Sequence, residues 1–318
     1  MTRALATLAT ATAAALAAAG LLAPADLDLA VTLLVYVTIA QAWNILGGYA
    51  GQISLGVAAF VGAGGYSTGL LLLHTDAAWP IALAGSGLVA ALVALALAPA
   101  LLRLHGAYFV VGTLVVAVAL QAFVLTWDWA GGAIGLTLPF DALPGSAALF
   151  RAAVAVCALT LAATLLVRGS RFGLRLMAIR DDEDAAAGLG VSVPAHRLGA
   201  LVLSSALTGL AGGVLALQLV SFAPDGMFAL SWTLAALLAV AIGGGGTFAG
   251  PIVGAAVVYY GLTRQLDDLE TLSLALEGAL LIAIVRLAPR GLWPRISDWL
   301  IDAGVARGRR DHRQRAGR

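Results

Sequence analysis

The stretch WPIALAGSGLVAALVALALAPALL, running from Trp79 to Leu102, holds no charged side chain and is closed by Arg103. A helix rises about 1.5 Å per residue, so about 20 apolar residues cross the ~30 Å hydrocarbon core of a bilayer. This run is long enough, and nothing in it requires water. Nine more runs of the same kind flank it: 4–23, 28–49, 53–73, 107–128, 148–167, 198–222, 228–245, 249–263 and 271–288. Two of them disturb a straight crossing. The 249–263 run is short, and 53–73 contains Gly56, Gly62, Gly64, Gly65 and Gly69. Irregular backbone at membrane depth is tolerated only where protein or a water-filled cavity covers it. The first run, with Arg3 ahead of it and Ala23-Pro24-Ala25 behind, also resembles a signal peptide. Its apolar part exceeds the usual ~7–15 residues, which favours a retained helix.

Composition agrees with this reading. Of 318 residues, 61% are hydrophobic and 11% charged, with a mean hydropathy of +0.97. Soluble domains carry roughly 45–50% apolar and about 25% charged residues, because their exterior must be wet. The expected fold is all-α, a polytopic helical membrane protein with about 8–10 transmembrane helices, short or broken ones included. A net charge of +1 gives no bulk field for nucleic acid. Cys157 is the single cysteine, so neither an internal disulfide nor a cysteine-based metal site is possible. The chain has no GxxxxGK[ST] phosphate loop, no HExxH pair and no G-x-S-x-G elbow, and its four histidines are scattered. No catalytic residue, metal or cofactor is therefore expected, and the chain does not read as an enzyme.

Orientation follows from the bias of Lys and Arg toward cytoplasmic loops. With the N-terminus inside and ten crossings, Arg103, Arg168, Arg171, Arg175, Arg180, Arg197 and the segment from Arg290 fall in the cytoplasm. Only Arg151 and Arg264 fall outside. Residues 1–294 are expected to form the membrane domain of a multi-pass protein of the bacterial plasma (inner) membrane, with 168–197 as a cytoplasmic loop. Residues 295–318, ending RGRRDHRQRAGR, read as a basic cytoplasmic tail against anionic lipid.

Three segments stand out. Around Gly47-Gly48-Tyr49-Ala50-Gly51 sit Asn44, Gln52 and Ser54, with Tyr66 further on. Small residues let helices approach closely, and the amides and hydroxyl suggest a broken helix bordering a translocation path, or else tight packing. Gly243-Gly244-Gly245-Gly246-Thr247-Phe248-Ala249-Gly250-Pro251 is expected to form a turn between two short helices, with Gly244, Gly246 and Gly250 as turn or gating glycines. The 168–197 loop predicts one short amphipathic helix outside the bilayer, spanning Met177 to Ala187 and ended by Gly188 or Gly190. Glu277 is the one clear intramembrane carboxylate, a candidate transport residue or ion-pair partner.

These blocks together resemble the branched-chain amino-acid (LIV-type) ABC transporter permeases, M-type subunit. The likeness runs from about residue 28 to 294. It rests on Gly48-Tyr49-Ala50-Gly51-Gln52-x-Ser54-Leu55-Gly56, Arg103-Leu104-x-Gly106-x-Tyr108-Phe109, Ser170-Arg171-Phe172-Gly173, Gly244-x-Gly246-Thr247-x-x-Gly250-Pro251 and Pro289-Arg290-Gly291-Leu292. Asp184-Ala185-Ala186, with Gly190 behind, is similar to the Glu-Ala-Ala…Gly signature of importer permeases. The resemblance implies that this loop is a coupling helix docking on an ATPase, through Arg175, Arg180, Asp184, Ala185, Ala186 and Gly190. It implies a second homologous permease subunit, two ABC ATPase subunits that use the ATP, and a periplasmic or lipid-anchored substrate-binding protein. Asp184 stands where the family carries glutamate, Val57 departs from a commonly polar or aromatic position, and Glu277 is unusual for its place. Related permeases carry urea and short amides, an alternative substrate class. An ion-coupled secondary transporter, with Glu277 as the coupled carboxylate, is the rival of a different kind.

Overall fold

A computed structural model of the chain describes residues 2–18, 20, 23–263 and 270–287. The tail over 295–318 and the Glu277 side chain lie outside the described residues. The ten apolar runs are helical: α1 (Thr2–Ala18), α2 (Pro24–Trp43, continued by a π turn, Asn44–Tyr49), α3 (Val57–His74), α4 (Trp79–Leu101), α5 (Ala107–Leu125), α6 (Ser146–Gly169), α9 (Val193–Leu219), α11 (Leu230–Gly243), α12 (Gly250–Val258) and α13 (Glu270–Leu287). Three short helices lie between them: α7 (Arg171–Asp181), α8 (Glu183–Gly188) and α10 (Pro224–Met227). Among the described residues seven helical stretches are long and apolar enough to cross a membrane, and Ala4–Ala17 and Gly250–Gly261 are shorter apolar helices. The protein is a polytopic helical membrane protein with short and broken members.

The sequence reading is corrected at three boundaries. Helix α3 begins at Val57 rather than 53, because Gly51 takes φ +70 and the chain leaves helical geometry until Gly56. Helix α9 ends at Leu219 rather than 222. Val220 adopts φ 63, and β2 (Ser221–Phe222) then pairs antiparallel with β1 (Leu136–Thr137), two residues of the long 126–145 connection. The 171–190 segment forms two helices rather than one, since Asp182 is extended at φ -157 and caps the second through Ala185 N at 2.9 Å.

Helix α9 is the axis of the body, packed against α2, α3, α4 and α6. Water does not drive helices together in lipid, so close van der Waals approach has to. Small residues supply it. A Cβ on Gly64 of α3 would strike the backbone of Gly209 in α9, and one on Gly209 would strike Ala90 and Ser86 of α4. Ala82, Ala90, Ala94 and Ala98 give α4 a buried alanine stripe. Several buried hydroxyls turn back on their own helices, as Thr160 does to Val156 O and Thr208 to Ser204 O. Helix α5, by contrast, leaves Val111, Val115, Val118 and Phe123 exposed.

The bundle has two chemically distinct ends. One collects Arg103, His105, Arg168, the α7–α8 hairpin and Arg197. The other collects the β1–β2 pair, Trp127, Trp129, Asp28 and Asp225, joined by the Thr137–Ser221 hydroxyl contact at 3.0 Å and by Gln218 donating to Asp28 Oδ1 at 2.7 Å. Gly64→Val and Gly209→Val are expected to wedge α3, α4 and α9 apart, each costing about 1–3 kcal/mol or more. A lowered thermal midpoint in detergent, set beside an unaffected Gly188→Ala control whose Cβ meets nothing, checks this.

Candidate functional site

The segment after Trp43 cannot simply continue as α-helix. Gly47 and Gly48 cost helix stability, and the chain widens into a π turn over Asn44–Tyr49. Ala50 N then bonds Ile45 O at 3.3 Å, and Gln52 N bonds Leu46 O at 3.0 Å. A widened turn exposes carbonyls and makes room beside the axis. Here the room is filled by the second glycine segment. A Cβ on Gly48 would strike both Asn44 Oδ1 and Gly246 N, so the two backbones meet only because this residue is glycine.

Asn44, fully buried, holds the contact. Its Oδ1 accepts from Gly246 N at 2.8 Å and its Nδ2 donates to Thr247 O at 2.9 Å. One turn back, Gln41 Nε2 donates to Phe248 O at 2.5 Å. The Gly244–Gly250 turn, with φ +108 at Gly244 and +72 at Gly246, is closed on itself by Thr247, whose Oγ1 donates to Gly244 O at 2.7 Å and accepts from Gly250 N at 3.2 Å. A third element joins from α7. Arg180 Nη1 donates to Gly48 O at 3.1 Å, while its Nε and Nη2 hold Asp181 Oδ1 at 3.0 and 2.9 Å. Gly51 lies against the Arg180 stem. Three segments read separately in the sequence therefore meet at one junction.

The other path candidates sit elsewhere. Ser54 spends its hydroxyl on Gly56 N at 3.1 Å, and its carbonyl accepts from Trp43 Nε1 at 2.8 Å, so it shapes the break itself. Gln52 is buried with no partner for Oε1, beside a cavity of about 320 Å³ lined also by Ile53, His105, Phe109 and Arg197. Tyr66 lies between Phe222 and Phe228, ring centroids 5.4 and 5.8 Å away. It lines a second, almost wholly apolar cavity of about 460 Å³ reaching His74 and Trp129. Thr113 and Thr233, which the sequence reading did not single out, cap the amides freed at the break, accepting from Leu55 N at 2.9 Å and Ala58 N at 3.1 Å. Isolated threonines in apolar helices carry no spacing signal that would have revealed them.

The α7–α8 hairpin is a small folded unit. Ser170 caps α7 through Gly173 N at 3.2 Å. Ile179, Ala186 and Val193 form its own apolar cluster. Glu183 and Arg197 make a bidentate pair at 2.7 and 2.6 Å that ties α8 to α9, a geometry suited to the planar guanidinium. Ala186 thus faces inward at 2% exposure, whereas Arg175, Asp184, Ala185 and Gly190 are exposed, with Leu174 and Leu189 beside them at 60% and 86%. Among the described residues no group of three or more His, Cys, Asp or Glu side chains could hold a metal ion.

The chain is a many-helix membrane body with a folded polar hairpin at its Arg-rich end. Residues 27–285 match the branched-chain amino acid transport system permease component family, and the chain belongs to it. It is 25% identical, over 315 aligned residues, to the high-affinity branched-chain amino acid transport system permease protein LivM of Salmonella typhimurium, covering 89% of this chain and 73% of that one. The LivM protein of Escherichia coli is likewise 25% identical, covering 88% and 73%. No solved structure matches. The chain is the permease subunit of an ABC importer, a transport family and not an enzyme class. Asn44→Leu is expected to strand Gly246 N–H and Thr247 C=O in the apolar body, at about 1–3 kcal/mol for each group. A thermal midpoint well below that of Asn44→Gln would register it.

Proposed function

We propose that this subunit carries branched-chain amino acids inward across the bacterial plasma membrane, as half of a translocation path completed by a second homologous permease. One of two ATPase subunits docks on the α7–α8 hairpin, and a binding protein delivers solute at the opposite end. The observation that carries the reading is the hairpin. Its caps, private core and ion pair make it rigid, and it turns Arg175, Asp184, Ala185 and Leu189 outward. A rigid exposed helix is what a partner needs in order to push on a membrane body. Gln52, a neutral amide buried beside a cavity that Arg197 also lines, suits a zwitterionic solute bound weakly enough to leave.

The test is ATP-driven uptake of labelled leucine, valine and urea by the reconstituted complex. Leucine and valine are expected to enter and urea to stay out; urea without leucine would move the substrate to the amide class. Ala185→Trp, on the outward face, should weaken ATPase docking about tenfold or more, the equivalent of ~1.4 kcal/mol, with the hairpin still folded. Normal uptake in that variant would remove the docking surface.

The hairpin end is assigned to the cytoplasm because, among the described residues, it gathers most of the arginines: Arg103, Arg168, Arg171, Arg175, Arg180 and Arg197. In a Cys157→Ala background, Ser192→Cys should resist an impermeant thiol reagent in intact cells and Ser146→Cys, at the other end, should react. Both positions are exposed. The reverse pattern would invert the assignment.

A further inference from the structure

The hairpin is fastened to the membrane body in two ways. At its ends it is covalent with α6 and α9, and the Glu183–Arg197 pair reinforces the α9 side. In its middle stands Arg180. One nitrogen of its guanidinium reaches the body and donates to Gly48 O, while the other two hold Asp181 and orient the plane. Gly48 O is no ordinary helical carbonyl, since it belongs to the π turn that ends α2. Across that turn the Asn44 amide grips Gly246 and Thr247, at the start of the loop between α11 and α12. Gly246 itself lies against Arg180 Nη1 and Gly48 O, close enough that a Cβ would crowd both.

We propose that Arg180 is a positioning residue for transport, the strut through which movement of the α7–α8 hairpin reaches α2 and the α11–α12 loop at once. This rests on the reading of the hairpin as the ATPase dock and deepens it. Arg180, exposed along part of its side chain, reaches inward through Nη1 as a transmitter, while Arg175, Asp184 and Ala185 face the partner. Helices α2, α11 and α12 converge on the junction, and none of them is chain-adjacent to the hairpin. Without the strut, the hairpin pulls on α6 and α9 alone. The guanidinium also satisfies a carbonyl that the widened turn would otherwise leave open, so a change in this contact alters both the hairpin position and the π turn.

The complete importer, reconstituted in liposomes with its ATPase and binding-protein partners, separates transmission from folding. Solute imported per ATP hydrolysed is measured for the parent, Arg180→Met, Arg180→Lys and Gly246→Ala. Arg180→Met keeps the stem and removes the donor. It is expected to assemble and to hydrolyse ATP at close to the parental rate, with import per ATP falling about tenfold, the scale of a mutation along a coupling route. Arg180→Lys, which can still donate one bond to Gly48 O, should recover much of that loss. Gly246→Ala crowds the strut from the other side with Arg180 intact, and should also lower import per ATP. An assembled Arg180→Met complex with the parental ratio overturns the proposal. If Arg180→Met does not assemble, Gly246→Ala decides, and a parental ratio there overturns it equally. A parent complex without ATP-driven import would instead remove the dock reading itself.

Discussion

A helix interrupted inside lipid has to find partners for the backbone groups that the interruption frees, because no water is there to take them. This chain breaks α2 after Trp43 and does not resume a helix until Val57. Four of the freed groups are met by specific neighbours: Leu55 N by Thr113, Ala58 N by Thr233, Ser54 O by the Trp43 indole, and Gly48 O by Arg180. The neighbours come from α5, α11, α2 and α7, so satisfying one break fixes the relative positions of four elements. The Gly244–Gly250 turn is the mirror case. Its strained glycines leave amides and carbonyls that Asn44, Gln41 and Thr247 take up. The two breaks face each other, and each supplies part of what the other lacks.

That dependence explains the distribution of glycine better than flexibility does. Gly48 and Gly246 are places where another backbone or a guanidinium occupies the volume a Cβ would need. Gly64 does the same service between α3 and α9, and Gly209 between α9 and α4, where lipid offers no hydrophobic drive and contact distance is what holds helices together. Glycine content concentrated in this way gives a body that is tightly packed at the crossings of α3, α4 and α9 and jointed at one cluster near the Arg-rich end.

Much of this was legible in the sequence. Continuous apolar runs such as 79–102 announced the helices, since each is longer than any soluble strand and uninterrupted by charge. The π turn and the second glycine turn were legible as disturbances of helix. Their mutual contact was not, because Asn44 and Gly246 are some two hundred residues apart and nothing in either segment names the other. The Asp184-Ala185-Ala186 stretch read as one outward surface, yet Ala186 is the inward residue that closes on Ile179 and Val193. Local pattern specifies a helix more readily than its rotation when the helix spans six residues. The end of α9 was misread for a related reason. Ser221 and Phe222 continue an apolar run, and only the partner strand at Leu136–Thr137, distant in sequence, draws them out of the helix.

The placement of charge separates the body into regions with different tasks. Away from the first and last two turns of the seven long spans, no charged side chain occurs among the described residues. Fixed charge there is costly and would hold an oppositely charged solute too tightly to release. The polarity that does enter the bundle is neutral, and around the break and its junction it includes Gln41, Asn44, Gln52, Thr113 and Thr233, all buried. Four of these five are engaged with backbone groups, and Gln52 alone keeps an unused oxygen beside a cavity. The charged groups are held at the ends, where they can orient the protein and meet partners. Arg180 bridges the two regimes. It belongs by sequence to the charged hairpin, and one hydrogen bond to Gly48 O ties it to the neutral junction.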